Sequence, residues 1–257
     1  MDTGVKADAI ERSALPTTPL LSCYFPLGDE RVPVELLDVY AGEGVDIIEI
    51  GMASPDPYLD GADVRASMAR ADRAHWRADL DAVLNRLAGY RNPPRALLMT
   101  YADAAHPGLA APDLWRGLDS LLVVAEPGDA MAKRLEQQAE AHGVPISPFL
   151  ALPLGDDALA RARAAGFYIM LQAHDGPTGP RATLDPANQG RIARLREAGA
   201  TAPILLGFGI SSGAQARAAM ALGADGVIVG SKVLQKALEG RAALSTLLSD
   251  LRSGLDA

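Results

Sequence analysis

The chain has 257 residues, 49% of them hydrophobic and 22% charged, with one cysteine and a formal net charge of −8. That share of apolar side chains excludes a disordered chain, and a lone thiol excludes an internal disulfide framework. The acidic balance speaks against a nucleic-acid or anionic-membrane surface, which calls for a basic face. No run approaches the roughly 18 apolar residues of a membrane span, and the start of the chain lacks the basic and apolar regions of a secretory signal. The sequence predicts a soluble cytoplasmic protein, with an N-terminal extension over 1–18 and one domain over 19–257.

Leu20–Pro26 (LLSCYFP) is the first of eight short apolar runs. Val45–Gly51 (VDIIEIG), Arg95–Tyr101 (RALLMTY), Ser120–Ala125 (SLLVVA) and Val144–Leu150 (VPISPFL) follow. Gly166–Leu171 (GFYIML), Pro203–Gly207 (PILLG) and Gly226–Gly230 (GVIVG) complete the series. Their apolar character is mostly continuous, not alternating, which is the pattern of parallel strands buried on both faces. Between them lie amphipathic segments such as Val34–Tyr40, Ala74–Leu87, Ala130–His142 and Ala214–Leu222. Gly143, Gly199 and Gly223 close helical segments where a left-handed C-terminal residue is favoured. Ala242–Leu255 reads as a last helix packed on the outside. Eight strand–helix alternations in about 240 residues predict an α/β protein of the (β/α)8 TIM-barrel class. The alternative, an open doubly wound sheet, usually carries a glycine fingerprint after its first strand, and none occurs here.

A barrel of this class places its chemistry in the loops that follow its strands. Three such loops are rich in glycine: Asp175-Gly176-Pro177-Thr178-Gly179, Gly207-Phe208-Gly209-Ile210-Ser211-Ser212, and Gly230-Ser231. Glycine lets backbone N–H groups approach a ligand closely. Ser231 also opens a helical segment, Ser231–Leu238, whose N-terminus attracts anions. Each glycine alone reads equally well as a strand end or helix cap; together they predict a phosphate cup built mostly from neutral donors, with Lys232 directly after the last loop.

Glu49 stands inside the apolar run IIEIG, where a carboxylate is costly unless paired or raised in pKa. Facing the barrel interior, it suits a general acid/base; paired with an arginine of a neighbouring element, it is structural. Asp56 and Asp60 lie in the long loop behind it, each also readable as a turn former. The four histidines are scattered, and no cluster has metal-ligand spacing, so no metal and no cofactor are expected.

Taken together, these motifs resemble the tryptophan synthase alpha chain family. VDIIEIG followed by SPDPYLDGA is similar to that family's D-x-x-E-(L/I)-G-x-P-F-S-D-P-x-A-D-G-P. Tyr24-Phe25-Pro26-Leu27-Gly28-Asp29 resembles its Y-F-T-A-G-D-P, Leu97-Leu98-Met99-Thr100-Tyr101 its L-M-T-Y strand, and Gly176-Pro177-Thr178-Gly179 its G-V-T-G. Gly207-Phe208-Gly209-Ile210-Ser211 and Gly230-Ser231 are similar to its two phosphate loops, so the likeness runs in order over about residues 18–240. It implies retro-aldol cleavage of indole-3-glycerol phosphate to indole and glyceraldehyde 3-phosphate. Glu49 would then shuttle protons, and Asp60 would bond the indole N–H and stabilise charge on the ring. Tyr24, Tyr101, Met170, His174, Gly176, Thr178, Gly179, Gly207, Phe208, Gly209, Ser211, Gly230 and Ser231 would bind this phosphorylated substrate.

The departures are specific. P-F-S-D-P is here Ala53-Ser54-Pro55-Asp56-Pro57, and the asparagine after L-M-T-Y is missing from Ala102-Asp103-Ala104. Ala125 replaces the aspartate of the fourth strand, Met170 the active-site tyrosine of the sixth, and His174 takes the place of an arginine or leucine. The family implies a beta-type partner subunit, but the loops that make that contact diverge in this chain. Two alternatives stay open: a related barrel lyase acting on another phosphorylated substrate in a specialised pathway, and a non-catalytic partner that regulates a beta-type subunit.

Overall fold

The computed structural model describes residues 15, 19–102, 106–174 and 183–257. The extension expected over 1–18 lies, apart from Leu15, outside the described residues; Leu15 packs against the core. Eight strands run β1 (Leu20–Pro26), β2 (Ile47–Gly51), β3 (Arg95–Tyr101), β4 (Ser120–Val124), β5 (Phe149–Leu150), β6 (Ile169–Gln172), β7 (Ile204–Gly207) and β8 (Gly226–Val229). All pair in parallel, in the order β4-β3-β2-β1-β8-β7-β6-β5. A bridge between Leu121 and Ile146 closes the ring, with Leu121 N–H on Pro145 O at 3.1 Å and Ser147 N–H on Leu121 O at 2.8 Å. This is the eight-stranded parallel barrel read from the alternation.

β5 is two residues long where the apolar run spans Val144–Leu150. Pro145 and Pro148 bring no N–H to the ladder, so regular pairing starts only at Phe149. β2, β6 and β7 also begin a residue or more later than their apolar runs, and β4 and β8 end one residue earlier.

Helices α1 (Leu37–Gly42), α2 (Ala62–Arg70), α3 (Trp76–Ala88), α4 (Ala130–Ala141) and α5 (Asp156–Ala164) surround the barrel with α6 (Asn188–Glu197), α7 (Gly213–Ala221), α8 (Ser231–Glu239) and α9 (Arg241–Leu255). α9 is the expected outer helix, and it buries Leu244, Leu247, Leu248 and Leu251 against α7 and α8. The connection after β2 holds both α2 and α3 and is the longest reach from strand to strand that the site uses.

The bottom of the barrel is tied by a repeated device. Asp46, Asp119 and Asp225 each stand immediately before a strand, and the carboxylate of each accepts an N–H from the first or second residue of a neighbouring strand. Leu21 donates to Asp46 at 2.8 Å, Ala96 to Asp119 at 2.9 Å and Ile204 to Asp225 at 2.7 Å. Arg252, Arg95 and Arg196 respectively balance these carboxylates. Charge at this end serves stability, which leaves the opposite end for chemistry.

Candidate active site

The C-terminal mouth of the barrel opens into a cleft of about 720 Å³, its open entrance included. Apolar side chains make most of the wall, among them Met99, Leu122, Val124, Phe149, Met170 and Phe208. Polar groups enter at two places, carboxylates on one side and the α8 N-terminus on the other.

Glu49 sits on β2 and is 4% exposed. In register it lies between Tyr24 of β1 and Leu97 of β3, while Ile48 and Ile50, one residue away, face the other side of the strand. Tyr168, immediately before β6, donates its hydroxyl to Glu49 Oε1 at 3.2 Å. Burial pushes the Glu49 carboxyl up to about 7; the Tyr168 hydroxyl opposes this and the Asp60 charge adds to it. Among the described residues no arginine pairs with Glu49.

Asp60 comes from the loop between β2 and α2 and is 7% exposed. Its N–H bonds Pro57 O at 3.0 Å, and Tyr101 at the end of β3 donates to its Oδ2 at 2.7 Å. Burial and the nearby carboxylate hold the Tyr101 hydroxyl well above its ordinary pKa, so it remains a donor. Tyr58 packs edge-on against Tyr101 at 5.3 Å between centroids. The helix that follows is fastened from its other end: Arg70 of α2 grips Asp29 with bonds of 2.6 and 3.0 Å, and Ser67 adds one of 2.5 Å. Burial of Asp29 raises its carboxyl, but those donors outweigh it and hold the group below the usual range. Asp56 has its N–H on Ser54 Oγ at 3.3 Å and lines an adjoining cleft with Glu126 and Asp129.

Tyr24 lines the cleft at 2% exposure, and its hydroxyl is buried with no hydrogen-bond partner among the described residues. Its ring lies over Gly51, where a Cβ would come within 2.1 Å of the ring carbon Cε2, so only glycine lets β2 pass beneath it. Phe208 adopts φ +72°, a left-handed conformation costly for a bulky side chain, and stacks on Phe149 at 5.7 Å. That backbone turn aims the ring into the cleft while Gly209, also at positive φ, carries the chain to Ser211.

On the other side, α8 begins at Ser231 with Gly230 as its N-cap, and no N-cap side chain bonds it. Leu234 is the first residue of this helix to donate inward, to Gly230 O at 3.1 Å. Ser211 is engaged by Gln215, which accepts from both its N–H at 2.8 Å and its hydroxyl at 2.9 Å.

The structure brings Tyr24, Glu49, Asp60, Tyr101, Met170, Phe208, Gly209, Ser211, Gly230 and Ser231 to one cleft. Gly207 ends β7 against Met170, and His174 follows β6 half-buried; neither is on the cleft wall. Gly176, Thr178, Gly179 and Asp103 lie outside the described residues. Sequence reasoning missed Tyr168, and with it Phe149, Met99, Leu122 and Val124. The period-two pattern was the available signal: Tyr168 and Met170 share a strand face, as do Met99 and Tyr101. Among the described residues no group of three or more His, Cys, Asp or Glu could hold a metal ion, and no helix is long and apolar enough to cross a membrane.

A parallel eight-stranded barrel with a cleft and two buried carboxylates at its C-terminal mouth defines the (β/α)8-barrel class. The model of the tryptophan synthase alpha chain family matches residues 18–251. A tryptophan synthase alpha chain from Geobacter sulfurreducens is 32% identical over 233 residues, 86% of each chain, and one from Leifsonia xyli subsp. xyli is 32% identical over 96% of this chain and 97% of its own. A solved structure of Mycobacterium tuberculosis tryptophan synthase superposes with a TM-score of 0.79 at 27% identity, covering 93% of both chains. The chain belongs to the tryptophan synthase alpha chain family and is an alpha-like carbon–carbon lyase of tryptophan synthesis.

Proposed function

We propose that the chain cleaves indole-3-glycerol phosphate by retro-aldol chemistry, with Glu49 as general acid/base and Asp60 as the partner of the indole N–H. The observation that carries the reading is Glu49, a buried carboxyl with a pKa raised to about 7 on the same cleft as Asp60. Such a group donates and accepts protons with comparable ease near neutral pH.

Glu49 in its acid form protonates indole C3, leaving positive charge on the ring that Asp60 stabilises through the N–H. Glu49, now the carboxylate, accepts the proton of the glycerol hydroxyl next to the ring. As that O–H bond breaks, a carbonyl forms and the carbon–carbon bond to C3 opens, its electron pair restoring the aromatic ring. Indole and glyceraldehyde 3-phosphate result, and Glu49 regains its proton, so the enzyme is unchanged. Tyr101 keeps Asp60 in place, and the apolar wall from Met99 to Phe208 takes the ring. The phosphoryl group faces the α8 N-terminus, whose dipole and first-turn N–H groups favour an anion.

Indole release from indole-3-glycerol phosphate by the purified chain, with no beta-type subunit added, tests this. Release that vanishes in Glu49→Gln is the expected result and makes the chain a self-sufficient lyase; no release, with and without a beta-type subunit, removes the substrate assignment. The second reading keeps the same residues and changes the aryl half of the substrate. Met170 on the cleft wall, in place of the family's tyrosine, favours it.

A further inference from the structure

Lys232 is the second residue of α8 and lines the cleft beside Gly230 and Ser231. A helix N-terminus carries partial positive charge, so this is the end at which a lysine is least favourable. The first turn of α8 holds no acidic residue to offset it. Among the described residues no carboxylate pairs with Lys232; its Nζ donates to the neutral Gln235 Oε1 at 2.8 Å. Lys236, one turn later on the same helix, does pair with a carboxylate, Glu239 Oε2 at 2.7 Å. Tyr24 lines the same cleft, its buried hydroxyl on the Gly51 side and without a hydrogen-bond partner among the described residues. A half-buried cation set against the dipole on a cavity wall, with no carboxylate partner among the described residues, is placed to meet an anionic ligand there.

We propose that Lys232 is a substrate-binding residue that donates a charge-assisted hydrogen bond to the phosphoryl group held at the α8 N-terminus, turning from Gln235 to do so. The proposal rests on the reading that this end of the cleft takes phosphate. It goes further in assigning a full positive charge to a cup otherwise made of neutral N–H and hydroxyl donors. The cleft is then polarised, with two carboxylates at the ring end and an ammonium at the other. It selects substrates whose anionic group lies at the end remote from the aryl ring.

Calorimetric titration of glycerol 3-phosphate, with glycerol as the uncharged control, tests it on the wild type, Lys232→Met and Lys232→Arg. Met keeps most of the aliphatic stem, and the core contacts of α8 come from Val233, Leu234 and Ala237, so the variant retains its fold. The expected loss in Lys232→Met is roughly 10- to 100-fold in affinity, the range for a hydrogen bond to a charged group. Lys232→Arg retains most of the affinity, and the salt dependence of binding is shallower in Lys232→Met than in the wild type. In turnover, KM rises while kcat stays near wild type, because a remote phosphate contact acts alike on ground and transition states. Wild-type and Met variants that bind glycerol 3-phosphate within twofold of each other overturn the role of Lys232 and leave the phosphate cup standing. A wild type that does not bind it overturns both.

Discussion

Replacing Glu49 by glutamine should abolish turnover and, at the same time, make the protein more stable at alkaline pH. Glutamine preserves the volume and leaves a carbonyl oxygen for the Tyr168 hydroxyl, so the main change is removal of the ionisable group. In the folded chain the Glu49 carboxyl is raised from 4.5 to about 7, mainly by burial. A folded-state pKa above the unfolded one means the native state holds the proton more tightly. Stability from this group is therefore complete below about pH 4.5 and is lost as pH rises through 7. Spanning about two and a half pH units, the loss totals about 3.4 kcal/mol, of which about 2.5 kcal/mol falls between pH 5 and pH 8. Urea unfolding of both proteins near pH 5 and near pH 8 measures it. The stability of Glu49→Gln relative to wild type should increase by about 2.5 kcal/mol between the two conditions, a midpoint shift on the order of 1 M. A difference that is the same at both pH values would show that Glu49 ionises normally, and the acid–base assignment would lose its physical basis.

Three further outcomes follow from the same geometry. Tyr101→Phe removes the 2.7 Å donor from buried Asp60, and should cost about 1–3 kcal/mol of stability near neutral pH and lower kcat/KM roughly tenfold; an unchanged kcat/KM would separate Asp60 from the chemistry. Gly230→Asp places charge at the α8 N-terminus where a Cβ meets only Tyr24 Cβ at 3.9 Å, so the fold should persist while affinity for glycerol 3-phosphate falls at least roughly tenfold. Equal affinity would put the phosphate elsewhere. At Phe208, with φ +72°, the Gly variant should unfold about 1 kcal/mol less readily than the Ala variant, because both lose the ring but only Ala keeps the left-handed strain; denaturant midpoints in the reverse order would contradict this.

The barrel was legible because parallel strands buried on both faces must be apolar throughout, and IIEIG, RALLMTY and SLLVV are so. Glu49 was legible for the converse reason: a carboxylate in such a strand is a conspicuous cost. The loop containing Asp60 suggested either chemistry or a turn; the turn is present, with the Asp60 N–H on Pro57 O, while the bond from Tyr101, 41 positions away, was not legible in the sequence. β5 shows the limit in the other direction, since its apolar run is longer than its ladder. Pro145 and Pro148 look like ordinary strand companions until the missing N–H groups are counted against a neighbour. Asp46, Asp119 and Asp225 likewise stand in plain view, but their pairing with neighbouring strand ends depends on register.

Tyr168 marks the boundary between the two kinds of information. As part of GFYIML it is one more residue of an apolar strand, while its bond to Glu49 spans 119 positions and exists only because the barrel closes. Lys232 is similar: its sequence position next to Gly230-Ser231 was visible, but its place on the wall of the Glu49 and Asp60 cleft was not. Periodicity and residue type, properties of neighbours along the chain, determined the strands, the helices, the glycine-rich loops and the suspect carboxylate. Which groups meet across the mouth, and the raised pKa that burial among them produces, were decided by tertiary structure, because distance and desolvation arise only when remote segments close around the same space.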